Sequence, residues 1–143
     1  MTDRDRLRAQ LIRHEGVKLV AYRDSLGFWT IGCGRLIDTR KGGGITQDEA
    51  EYLLSGDIDR VTRGLFARFP TWFPQLDPVR QAVMVEMGFQ LGLRGLGAFA
   101  QTLGAVAEGE YARAATAMLE SRWARQTPGR ASELAEQMRS GAW

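Results

Sequence analysis

Apolar positions recur at helical spacing near both ends of this chain and give way, between residues 19 and 37, to a strand-like stretch. Leu7, Leu11 and Ile12 share one face of a segment that predicts a helix over 3–15, with Gly16 as its stop signal. From 19 to 37, aromatic and β-branched residues surround Ser25-Leu26-Gly27, which predicts antiparallel strands joined by a hairpin turn at that triplet. The polar, glycine-rich run IDTRKGGG (37–44) reads as loop. TQDE (46–49) then has the form of a capping box, Thr46 at the cap and Glu49 three residues on. Ala50, Leu53, Leu54, Ile58, Val61 and Leu65 follow at helical spacing, so 46–68 is predicted to be one long helix. Pro70, Pro74 and Pro78 make 69–78 irregular, with Asp77 as cap and Pro78 as first-turn residue of the next helix. AVMVEMGFQL (82–91) is apolar nearly all round, the pattern of a helix buried at the centre of a lobe. Further helices are predicted near 95–108, 110–122 and 128–139, the last opened by Thr127-Pro128.

The order is therefore a helix, a small sheet, a long helix and a cluster of helices. That is an α+β fold with its strands confined to one end, and a cleft between the sheet end and the helical end is the expected place for a ligand. With 143 residues, 44% hydrophobic and 25% charged, the chain has enough core for one compact unit of two lobes. A formal charge of +2 and a pI of about 9.0 are too mild to demand nucleic acid, but they suit an anionic polymer. Cys33 is the only cysteine, which excludes an intramolecular disulfide and any multi-cysteine metal site. His14 is the only histidine; it argues against histidine-rich metal sites and leaves few options for Ser-His-Asp catalysis. MTDRDRLRAQ lacks the apolar core of a signal peptide, and no apolar run is long enough to cross a bilayer. The expectation is synthesis in a cytoplasm without an ordinary export signal.

Candidate chemistry sits between residues 15 and 34. On a regular strand Trp29, Ile31 and Cys33 point one way, as a packed side, and Thr30, Gly32 and Gly34 point the other. A threonine followed by two glycines leaves that face nearly bare, open to a flat ligand such as a sugar ring; the same glycines also fit a bulge or a strong twist. Glu15 stands at the C-terminal end of the first helix, where the dipole disfavours the carboxylate and favours the proton-bearing form that a general acid needs. Asp24, beside the turn and flanked by Arg23, supplies a second carboxylate in a different environment, as glycoside hydrolysis requires. Spacing alone does not overturn the plainer reading, a solvated Glu15 and a turn-stabilising Asp24.

E-x8-D-x5-T, present as Glu15, Asp24 and Thr30 within YRDSLGFWTIGCG, resembles the catalytic segment of the T-even phage lysozymes, a family of muramidases found mostly as phage endolysins. ITQDEAEYLL (45–54), VRQAVMVEMGFQLG (79–92), SRWARQTPGRA (121–131) and the terminal SGAW, matched to the family's last helical turn, resemble the same family in the same order. The resemblance implies a lysozyme-like fold with a sheet lobe over 16–45 and a connecting helix over 46–68. A helical lobe would be made by 69–143 together with the helix 3–15. It implies hydrolysis of the β-1,4 bond between N-acetylmuramic acid and N-acetylglucosamine of peptidoglycan. Glu15 would be the general acid, Asp24 the carboxylate facing the developing positive charge, and Thr30 the holder of the attacking water. Threonine is too weak and too short to displace the sugar oxygen itself, so a water nucleophile and inversion fit better than a covalent intermediate. No metal or organic cofactor is implied. The implied partner is the glycan strand, with no nucleic acid, no stable membrane insertion and a monomer as default. The implied route is accumulation in the host-cell cytoplasm and release to the wall by a separate membrane-lesion protein.

By the same matching, Leu36, Phe89, Gln90 and Thr102 are implied to contact substrate, and Arg130 matches an arginine near the acid. Two departures bear on these expectations. Ala117 stands at a further saccharide-contacting position, and the family's G-x-G-H is here Gly32-Cys33-Gly34-Arg35. Since the family histidine pairs with an aspartate on the long helix, Arg35 is expected to pair with Asp57. Two alternatives to the hydrolase remain, a lytic transglycosylase and a non-catalytic wall-binding relative. The Asp24–Thr30 combination argues against the first and an intact Glu15 against the second.

Overall fold

The computed structural model describes residues 2–143 and divides the chain into two compact units, Met1–Tyr52 and Leu53–Trp143. The first contains helix α1 (Asp3–Glu15) and three strands, β1 (Lys18–Arg23), β2 (Trp29–Gly32) and β3 (Arg35–Leu36). α1 opens on a capping box, in which the Thr2 hydroxyl accepts from the Asp5 amide at 3.1 Å while the Asp5 carboxylate accepts from the Thr2 amide at 3.0 Å. The Thr2 hydroxyl also donates to the Asp5 carboxylate at 2.8 Å, and this bond, with the one from the Thr2 amide, holds the Asp5 carboxyl below its ordinary range. The strands form an antiparallel sheet in the order β1-β2-β3. Tyr22 lies opposite Thr30 and Arg23 opposite Trp29; on the other side Thr30 faces Leu36 and Ile31 faces Arg35. A bulge interrupts the first pairing between Lys18 and Tyr22.

Helix α2 (Gln47–Arg68) carries the boundary between the two units within its length. Its start is the capping box that the sequence predicts: Glu49 N donates to the Thr46 hydroxyl at 3.2 Å and Thr46 N to Glu49 Oε2 at 2.8 Å. The second unit adds α3 (Pro78–Gly97), α4 (Ala100–Ala107), α5 (Tyr111–Leu119), α6 (Arg122–Gln126) and α7 (Pro128–Ser140). Asp77 caps α3 through the Arg80 amide at 3.0 Å with Pro78 in the first turn, as expected. The mostly helical chain with its small antiparallel sheet is α+β.

The core of the second unit is built from Leu65, Phe73, Val83, Met84, Met87, Leu96, Met118, Leu134 and Met138, all essentially inaccessible to solvent. Burying one such side chain contributes about 1.5–3 kcal/mol. Helix α3 is central on one face only. Val83, Met84 and Met87 are buried, whereas Phe89 keeps 44% of its surface exposed. The apolar run of 82–91 thus does not mark burial all round.

Four helix boundaries depart from the sequence expectation, the first being that the helix expected over 95–108 starts only at Ala100, after α3 has ended at Gly97. Gly92, with φ 73° and ψ 158°, breaks α3 from within; this backbone conformation is open essentially to glycine alone, and the turns on either side of it point differently. The segment expected as one helix over 110–122 is α5 followed by the separate α6, whose cap is the Ser121 hydroxyl accepting from Ala124 N at 3.1 Å. α7 stops at Ser140, capped by Gly141, so SGAW is not a helical turn. Thr127-Pro128 does open α7, but the Thr127 hydroxyl donates back to the Trp123 carbonyl instead of capping.

Arg80 ties the ends of this unit together. Its guanidinium donates to the Met138 carbonyl at 2.7 Å and the Arg139 carbonyl at 3.0 Å, while Nη1 donates to Asp77 Oδ2 at 2.8 Å. It lies 3.8 Å from the centre of the Tyr111 ring. A cation is thereby placed on the last carbonyls of α7, where the helix dipole is negative.

Candidate active site

Glu15 is the last residue of α1. Its exposed side chain makes no hydrogen bond or ion pair among the described residues, so its carboxylate is available to a ligand. What defines its position is the chain beyond β2, where Gly34 passes directly against the carboxylate.

Asp24 is fixed by the turn between β1 and β2. Its Oδ1 accepts from the amides of Leu26 at 2.9 Å and Phe28 at 2.8 Å, while the backbone closes around it through Asp24 N to Phe28 O and Gly27 N to Asp24 O, both 2.9 Å. The turn that the sequence places at 25–27 is therefore an Asp24 turn. Thr30 is tied to the same residue, its hydroxyl donating to the Phe28 carbonyl at 3.1 Å. One peptide segment thus positions both side chains. Phe28 has no functional side-chain signature, and sequence reasoning missed this role because it is played entirely by backbone atoms.

The expected division of β2 into a packed face and a bare face is not what forms. Thr30 is only 4% exposed, whereas Trp29 is 41% exposed and Cys33 is also on the surface. Within β2 the alternation holds with its sides reversed, Thr30 facing in and Trp29 out; beyond it, Gly32 and Gly34, both with φ near +68°, turn the chain so that Cys33 no longer continues the pattern. Trp29 is covered instead by Arg23, whose guanidinium carbon stands 4.5 Å from the ring centre. Leu36, the cross-strand neighbour of Thr30, is half-buried on β3. Glu15, Asp24, Thr30 and Leu36 all belong to the first unit.

Arg35 does not pair with Asp57. Its two terminal nitrogens donate to the two oxygens of Glu49 at 2.7 Å each, and Nη1 also reaches the Gly44 carbonyl at 3.4 Å. Asp57 is instead satisfied by Arg60 on the next turn, at 2.5 Å. The choice follows from position along α2. Glu49 lies in the first turn, already oriented by Thr46, whereas Asp57 is eight residues on, about 12 Å further along the axis. The Arg35 hydrogen bonds, together with that from Thr46 N, hold the Glu49 carboxyl at about 2 against an ordinary 4.5.

The remaining candidates lie in the second unit. Thr102 is buried in the wall of a cavity of about 770 Å³ that Ala117, Gln101, Ser121 and Trp123 also line. The structure thus brings together the two positions matched to saccharide contacts there, Thr102 and Ala117. Gln90, an exposed residue, accepts a hydrogen bond from Trp123 Nε1 at 2.9 Å, so its amide oxygen already has a partner within the chain. Phe89 and Arg130 line a different cavity of about 520 Å³, with Leu54, Ile58, Val85 and Trp143. Arg130 pairs with Glu86 at 2.9 Å, an internal partner that its motif did not reveal.

A family profile described as Phage lysozyme matches residues 12–139, a span that contains Glu15, Asp24, Thr30 and all the other site candidates. The chain belongs to the phage lysozyme family. Phage lysozyme relatives of three kinds share its sequence. "Probable T4-type lysozyme 1" of Dictyostelium discoideum is 28% identical over 89% of this chain and 89% of its own length. "Pre-baseplate central spike protein Gp5" of Enterobacteria phage T4 is 31% identical over 87% of this chain, which there corresponds to 26% of the relative. "Endolysin" of Acyrthosiphon pisum secondary endosymbiont phage 1 is 44% identical over 50 residues, 35% of this chain and 34% of that protein.

Proposed function

We propose that this chain is a cell-wall hydrolase that cuts the β-1,4 bond between N-acetylmuramic acid and N-acetylglucosamine in bacterial peptidoglycan. The observation that carries the reading is the phage lysozyme match over 12–139, with an unencumbered Glu15 and an Asp24–Thr30 pair locked on one backbone segment. In this reading Glu15 protonates the departing glycosidic oxygen. Asp24 spends Oδ1 on two amides, which leaves Oδ2 to face the developing oxocarbenium charge and to take a proton from water. The Thr30 hydroxyl spends its proton on Phe28 O, so it presents lone pairs. A water donating to those lone pairs and to Asp24 would turn its own lone pair toward the anomeric carbon. That arrangement supports direct attack by water and inversion.

Leu36 in the first unit, and Phe89, Gln90, Thr102 and Arg130 in the second, are proposed as saccharide contacts; for Gln90 and Arg130 their internal partners give them a structural share as well. No helix among the described residues is long and apolar enough to cross a membrane, and we place action at the wall after release by a separate membrane-lesion protein. The deciding experiment is clearing of outer-membrane-permeabilised cells, followed by mass analysis of the released glycans. Products that have gained one water support the hydrolase. Anhydro products would assign a transglycosylase, and intact cells with bound protein a wall-binding relative.

A further inference from the structure

We infer that Gly34 is the positioning residue of the proposed acid, the slot against which the Glu15 carboxylate is set. The inference rests on Glu15 being that acid. A Cβ built on Gly34 would stand 2.8 Å from Glu15 Oε2, 3.0 Å from Cδ and 3.2 Å from Cγ. The whole end of the glutamate thus lies along the bare α-carbon. Ordinary contact begins at 3.4 Å, so any side chain at 34 drives Oε2 back by about 0.6 Å or more. Nothing in the described residues ties the carboxylate down by hydrogen bonding, and this steric wall is what sets its place.

The wall itself is rigid. Gly34 lies between the paired residues Ile31 and Arg35 of β2 and β3, and Arg35 is clamped to Glu49 by two hydrogen bonds of 2.7 Å. The cheaper adjustment to an added methyl is therefore a swing of the flexible Glu15 side chain. Such a swing costs little stability but much catalysis, because proton transfer needs heavy atoms within about 2.6–3.2 Å, and a misplacement of about 1 Å can cost about 10²-fold.

Gly32 supplies an internal control. It has the same φ of +68°, at the end of β2 two residues earlier, yet a Cβ there meets nothing within 4 Å. Backbone strain from alanine is thus shared by the two positions, while contact with Glu15 belongs to Gly34 alone.

The test compares Gly34→Ala with Gly32→Ala in the full chain, by melting temperature, glycan cleavage across pH, and the ¹³C resonance of the Glu15 side-chain carboxyl. Similar falls in melting temperature are expected. Cleavage should fall about 10²-fold further in Gly34→Ala, with the Glu15 resonance and the pH profile displaced only in that variant. Glu15→Asp, whose carboxylate is retracted by one methylene, should cost less activity in the Gly34→Ala background than in the unsubstituted chain. Equal losses in the two alanine variants, or an unmoved Glu15 resonance in Gly34→Ala, would overturn the inference. Should Gly34→Ala fail to fold, the unsubstituted protein decides: nuclear Overhauser contacts between the Glu15 γ-protons and the Gly34 α-protons are required, and their absence overturns it. Failure of the acid assignment reads differently, as full cleavage by Glu15→Gln with the Gly34 contact intact.

Discussion

Arg35 and Glu49 meet through two parallel hydrogen bonds of 2.7 Å that join the last strand of the sheet to the first turn of the long helix. The fork-to-carboxylate match is the strong form of an ion pair, and it holds the Glu49 carboxyl at about 2. Because that value lies below the ordinary 4.5, the stabilisation is fully present above about pH 4.5 and is lost as pH falls toward 2. Glu49→Gln retains the capping box and removes the charge. Its melting temperature should lie slightly below that of the unsubstituted chain at neutral pH. The gap should stay constant upward to alkaline pH, since arginine does not titrate there, and close on acidification. A gap that is flat down to the lowest pH at which both proteins melt cooperatively would contradict the pair.

Glu15→Gln keeps the shape of the side chain and removes the transferable proton. Cleavage should drop by about 10²–10⁴-fold. Because Glu15 makes no internal hydrogen bond among the described residues, the melting temperature should barely move. Retained lysis would remove Glu15 from its proposed role.

Direct attack by water inverts the anomeric centre. Proton NMR in the first minutes of digestion of a defined oligosaccharide should therefore show the α-anomer before mutarotation mixes it. Inversion also calls for a separation of roughly 6.5–9.5 Å between the Glu15 and Asp24 carboxyls in the bound complex. An initial β-anomer would indicate a covalent or substrate-assisted route instead.

Gln90→Ala should destabilise the protein by about 1–3 kcal/mol, because the Trp123 indole N–H would be left unpaired next to the core. Urea unfolding with an unchanged slope would measure it. Stability equal to that of the unsubstituted chain would mean that Gln90 serves only the ligand.

Gly92→Ala places a Cβ on a backbone conformation that non-glycine residues avoid, at an expected cost of about 1–3 kcal/mol. The same unfolding measurement checks it. A neutral substitution would show that the break in α3 can relax.

Much of this was legible where the signal is local. The Thr46–Glu49 box and the Asp77-Pro78 start follow from neighbours three residues apart, and the antiparallel strands from β-prone runs on either side of a turn. Glu15, Asp24 and Thr30 were visible as a spaced triplet, but the means of holding two of them was not, since it runs through the Phe28 peptide. The partner of Arg35 was misread because sequence offers several carboxylates on one helix and only the fold chooses among them. Likewise Gln90 and Arg130 looked like free binding groups until their partners, 33 and 44 residues away, came into place. The faces of β2 were assigned the wrong way round, because local pattern does not say which side meets the core, and the two glycines that read as a bare face change the path of the chain beyond it.

The Arg80 clasp also governs how the helical unit is assembled in time. Its donors and acceptors are separated by 58 and 59 residues, so the entropy of closing that loop is lost before the contact returns any stability. During synthesis the first turn of α3 emerges long before Met138 and Arg139 exist to receive its guanidinium. The bonds from Arg80 to the end of α7 can close only once α7 is made. Completion of this unit is therefore a late, cooperative event, and the rate of acquiring activity should follow the docking of α7 and not the formation of any single helix.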